Sequence, residues 1–143
     1  MSVATASIQA GNLAGGSSRK WMLWLGWGLT AVPVLMMAMG GVMKLSHSAQ
    51  LVEALTTKFG YPESVLLAFG VVELACVVLY AIPRTAVLGA ILLTGYLGGA
   101  IATHVRISDA FVVPILIGVV AWGGLFLRDS RLRALLPLRS PSP

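Results

Sequence analysis

The sequence predicts an all-α integral membrane protein, a four-helix bundle with a short amphipathic surface helix between helices one and two. Three observations lead there. The chain is 57% hydrophobic and only 10% charged, with a mean hydropathy of +0.89, whereas a soluble domain carries roughly 25% charged residues. Its apolar residues gather in four runs, 21–43, 64–82, 85–103 and 111–127, each near the roughly 20 residues that cross about 30 Å of hydrocarbon. The basic residues fall between and beyond those runs. One domain over 19–137 follows, with a disordered N-terminal tail at 1–18 and a C-terminal tail at 138–143.

The first 18 residues are mostly Ala, Ser, Gly and Thr, with Gln9 and Asn12, without periodicity. Arg19-Lys20 then lead into 23 apolar residues, Trp21 to Met43. A signal peptide has a core of only about 7–15 residues, so this run reads as a span. Trp21, Trp24 and Trp27 fit an interfacial anchor. Pro33 and Pro114 are expected to kink the first and fourth helices, which is tolerated where neighbours satisfy the freed carbonyls. Between runs one and two, Leu45, Ala49, Leu51, Val52, Leu55 and Phe59 recur near helical spacing. They predict an amphipathic helix on the outer membrane surface, ended by Gly60-Tyr61-Pro62. In the third run, Gly95, Gly98 and Gly99 predict a close helix–helix seam, within the chain or with another subunit.

Charge sets orientation and excludes several functions. With four spans, Arg19, Lys20, Arg84, Arg128, Arg131, Arg133 and Arg139 share one side, against Lys44, Lys58 and Arg106 on the other. The excess predicts both termini in the cytoplasm, in a multi-pass membrane protein. The net charge of +5 forms no dense basic tract with interleaved aromatics, so the expected partner is the lipid bilayer and not nucleic acid. A lone cysteine, Cys76, leaves no internal disulfide and no CxxC pair. No metal site, phosphate loop or catalytic triad is visible, and the two histidines are too poorly placed to bracket a haem.

Glu73 is the residue most at odds with lipid. It is tenth in a nineteen-residue run, and an acid near the bilayer centre costs about 2.5–3.5 kcal/mol on insertion scales. Level counting places Thr94 opposite it, Tyr96 one turn outward and Thr30 at the same depth on helix one. None is cationic, so a largely neutral carboxyl is expected, either as a functional proton or binding site or as hydrogen-bonding glue. A second set, Lys44, His47, Tyr61, Glu63, His104, Arg106 and Asp109, belongs to the outer boundary, with Glu63 expected near His104. These side chains suit an anion or head group, a proton path to Glu73, or ordinary snorkelling at the interface.

The segments Gly40–Leu45 (GGVMKL), Phe59–Ser64 (FGYPES), Gly70–Arg106 and Arg128–Pro137 (RDSRLRALLP) together resemble the DoxX-like family, over roughly Gly40 to Pro137. The resemblance carries over Lys44, Glu73, His104 and Arg106. It implies a bacterial four-helix inner-membrane protein, with a quinone as the one cofactor it brings to mind and a larger redox complex or a homo-oligomer as partner. The expected function is a non-catalytic accessory subunit in quinone-linked or redox metabolism. A small proton-coupled carrier using Glu73 is the alternative, and a membrane enzyme using Glu73 or His104 as acid/base ranks below both.

Overall fold

The computed structural model describes residues 2–135, with side chains from 20 to 134; the C-terminal tail expected at 138–143 lies outside the described residues. Among them the chain is helical throughout, without a strand. Helix α1 runs Ser2–Leu45, α2 is Ala49–Glu53, α3 is Leu66–Ala81, α4 is Ala86–Arg106, α5 is Val112–Arg128 and α6 is Ser130–Leu135. The backbone of 2–18, expected to be a disordered tail, instead continues α1. No proline interrupts the chain before Pro33.

Three helical segments are long and apolar enough to cross a membrane: Lys20–Leu45, Glu63–Ala81 and Ala86–Arg106. Helix α5, with 17 residues, is apolar but only about 26 Å long at 1.5 Å per residue. Helix α1 packs on α3 and α5, and α4 packs on the same two. Short connections make sequence neighbours antiparallel. Burial is inverted relative to a soluble protein. Outward-facing Leu35, Met39, Val71, Val78, Leu116 and Val119 are exposed, while Thr30 and Glu73 are buried. Val77, Tyr80, Ala90, Leu93, Ala121 and Leu125 fill the centre.

The helices meet at glycines, though not at those expected. A Cβ on Gly89 would lie 2.2 Å from the Tyr80 backbone nitrogen, so α4 rests directly on the α3 main chain after the tight turn. On the α1–α3 crossing, a Cβ on Gly41 would be 2.7 Å from Leu74, and one on Gly70 3.0 Å from the Lys44 Cβ. On the α1–α5 crossing, a Cβ on Gly124 would be 2.9 Å from the Thr30 nitrogen. At Gly95, Gly98 and Gly99 a Cβ would meet nothing within 4 Å. Four-residue spacing puts small residues on one face but does not say what that face meets. On α4 it borders open space.

Pro33 sits buried within α1. Pro114 is the third residue of α5, in the first turn, where its missing N–H needs no partner; a kink is not required there. At the far end of α5, Arg128 donates to the Tyr80 carbonyl at 2.8 Å and lies over the Trp27 and Tyr80 rings at 4.5 and 5.2 Å. Its Nε and Nη1 are buried without a hydrogen-bond partner, and the two aromatic faces supply the compensating attraction.

Candidate functional site

At the opposite end the helices separate around a cavity of about 740 Å³. Its wall is mostly apolar, with Met37, Phe69, Leu97 and Ile117 among the lining residues. Gly95 and Gly99 also line it, so the glycines expected as a seam make room for the cavity.

The polar part of the wall is a three-residue cluster. Lys44 Nζ lies 2.7 Å from Glu73 Oε2, and the Tyr96 hydroxyl donates to the same oxygen at 3.0 Å. The side chains of Lys44 and Glu73 are 12% and 7% exposed, which makes this a buried pair. The expectation of a carboxyl without a cation beside it is therefore overturned. Lys44 belongs with Glu73, not with the outer rim. Helical side chains lean towards their own N-terminus. Because α1 and α3 run antiparallel, Lys44 leans inward and Glu73 outward, and the long lysine closes the gap. Gly70 lets the Lys44 Cβ approach α3, and Gly40 leaves space for the carboxylate: a Cβ there would be 3.2 Å from Glu73 Oε1.

Of the two α4 residues expected near Glu73, only Tyr96 reaches it. Thr94 is about 200° away around the helix; it donates to the Ala90 carbonyl at 2.8 Å and accepts from Trp122 Nε1 at 2.9 Å. Thr30 donates to the Gly26 carbonyl at 2.8 Å and lies 3.5 Å from the Tyr80 hydroxyl, at the other end of the molecule.

The connection between α1 and α3 covers the cavity. Helix α2 passes into a π-helical turn, Ala54–Lys58, and its apolar side presents Leu51, Leu55 and then Phe59 to the cavity, with Glu53, Thr57 and Lys58 exposed. Gly60, at φ 71°, turns the chain away. This cover is tied to the end of α4 and the loop after it. Lys58 pairs with Asp109 at 2.7 Å, Phe59 packs on the His104 ring at 5.0 Å, and Arg106 donates to the Phe59 carbonyl. Arg106 also lies 5.6 Å from the Tyr61 ring, and the Tyr61 hydroxyl is 2.7 Å from Thr103 Oγ1. The Lys58 ammonium hydrogen-bonded to Asp109 holds that carboxyl below the usual carboxylate range. Glu63, expected beside His104, is exposed at the start of the turn Glu63–Val65; Tyr61 makes the link to α4 instead. His47 occupies an exposed left-handed turn at φ 50°.

Of the candidate residues named from the sequence, Lys44, Glu73, Tyr96 and His104 line the cavity, but neither the cavity nor the Lys44–Glu73 contact was foreseen. A signal for the contact was present in Gly40, Gly41 and Lys44, which share one face of α1 and meet Gly70 and Glu73 on α3.

No curated protein and no solved structure matches the chain. The model of the DoxX-like family matches residues 28–124, a stretch that holds every residue of the cluster, the cavity wall and its cover. Together with the apolar helices, that match identifies the chain as a membrane protein belonging to the DoxX-like family.

Proposed function

We propose that this chain is a non-catalytic, four-span inner-membrane component that holds a largely apolar small molecule in the cavity of about 740 Å³, as an accessory to a larger redox system. The observation that carries the reading is the cavity itself, apolar over most of its wall with one compact polar cluster, a combination typical of sites that fix a ligand's orientation. A quinone in its hydroxyl-bearing quinol form, of the class brought in by the family resemblance, has the matching division into a polar ring and an apolar tail. In this reading α5 is the fourth span, with mild bilayer thinning meeting its short length. Both termini are cytoplasmic, and α2 lies at the outer surface as the cover of the site.

The carrier alternative takes Glu73 as its proton site. With Lys44 at 2.7 Å, that site would act as half of an ion pair.

The test is purification in native-lipid nanodiscs, followed by mass spectrometry of everything extracted, proteins and quinones together. Gly99→Leu is the comparison, because a side chain there enters open space in the cavity. The expected result is an apolar molecule that accompanies the wild type and is lost from Gly99→Leu, together with subunits of an oxidoreductase. Equal small-molecule content in both proteins would remove the cavity reading, and a chain that always purifies alone would remove the accessory role.

A further inference from the structure

Resting on the reading that the cavity holds an apolar molecule, we infer that the Lys44–Glu73 pair selects ligands whose head is neutral and carries a hydroxyl-type group, and rejects anionic and cationic amphiphiles of the same length. Both recorded hydrogen bonds to the Glu73 carboxylate fall on Oε2, from Lys44 at 2.7 Å and from Tyr96 at 3.0 Å. Among the described residues none reaches Oε1, and Lys44 Nζ makes no hydrogen bond other than that to Glu73. Lys44, Glu73 and Tyr96 all line the cavity. The wall therefore offers an ammonium donor beside a carboxylate acceptor, with no net charge between them. A hydroxyl accepts from Lys44 Nζ through its oxygen and donates its proton to Glu73 Oε1, leaving the pair intact.

A charged head breaks this balance. A carboxylate ligand competes with Glu73 for Lys44 and places two like charges together away from water; an ammonium ligand does the same to Lys44. Either leaves one charge of the wall uncompensated, the costly arrangement for a buried pair. Entry requires no aqueous passage. Met36 and Val72, 47% and 51% exposed on the apolar outside of the molecule, also line the cavity, so a tail can reach it from the hydrocarbon.

The experiment uses the full chain in nanodiscs with three diazirine-bearing probes of equal chain length: an alcohol, a carboxylic acid and a primary amine. Labelled residues are mapped by peptide mass spectrometry. In the wild type the alcohol is expected to label cavity residues such as Phe69 and Ile117 at least about tenfold more than either charged probe. Glu73→Gln, which leaves the lysine charge alone, shifts the preference to the acid, and Lys44→Met shifts it to the amine. Acid or amine labelling equal to alcohol labelling in the wild type overturns this inference while the apolar-ligand reading stands. Absence of cavity labelling by all three probes overturns that reading as well. The decisive comparison is made on the wild type, so it does not depend on either variant inserting correctly.

Discussion

Separating Lys44 from Glu73 is the perturbation whose size follows most directly from the structure. At 2.7 Å the Coulomb attraction is about 6 kcal/mol for an effective dielectric constant near 20. Removing two ions from water costs several kcal/mol each, so the intact pair adds little net stability. Its removal is not symmetrical with its presence. Lys44→Met leaves a carboxylate that is 7% exposed without its cation, and Glu73→Gln leaves an ammonium that is 12% exposed. Breaking a buried pair from one side costs about 3–5 kcal/mol. The double variant Lys44→Met/Glu73→Gln strands no charge and is expected to be more stable than either single variant. The coupling energy should then reach about 3 kcal/mol or more, far above the roughly 0.3–0.5 kcal/mol within which independent sites add. The assay is reversible unfolding in mixed detergent micelles with increasing dodecyl sulfate, followed by helical circular dichroism, on all four proteins. If the two single losses sum to the loss in the double variant, the side chains do not act as a buried pair and the description of the site fails.

Other expectations test the frame around the site. Gly89→Ala would place a Cβ 2.2 Å from the Tyr80 nitrogen, so its stability, read by thermal melts in detergent, should fall by the upper end or more of the about 1–3 kcal/mol usual for overpacking. Gly28→Ala, where a Cβ meets nothing within 4 Å, should instead gain up to about 1 kcal/mol from helix propensity; equal effects would refute the α3–α4 close approach. Tyr80→Phe removes the 2.7 Å hydrogen bond to the Ala121 carbonyl and should cost about 1 kcal/mol by the same melt, whereas an unchanged melt would argue against that contact. The Asp109 carboxyl is held low by Lys58, so what it contributes is present at neutral pH and is lost as pH falls through that lowered value. Protection of residues 49–61 against hydrogen exchange, measured relative to the intrinsic rate at each pH, should therefore fall on acidification below the usual carboxylate range in the wild type. In Asp109→Asn it should already be low at neutral pH, and a flat wild-type profile would refute the Lys58–Asp109 tie.

Much of the architecture was legible because it depends on averages along the chain. Hydropathy over about 20 residues marks a span wherever its neighbours lie, and Pro83-Arg84 must reverse the chain between two such spans. Glu73 and Tyr96 were legible for the same reason, since an acid within an apolar run is conspicuous and short hairpins preserve level.

By itself, the sequence determined that lipid is the solvent of this chain, where its apolar helices lie, and that Glu73 needs a reason to be among them. Only the tertiary structure decided what that acid meets, which glycines are contacts and which are space, and that α2 covers a cavity. The physical reason is rotation and tilt about the helix axes. A step of two residues separates Tyr96 from Thr94 by about 200°, and opposed side-chain lean brings Lys44 to Glu73 across a crossing that Gly70 permits. Such angles are set by how the helices pack against one another, and no count of residues along a single helix contains them.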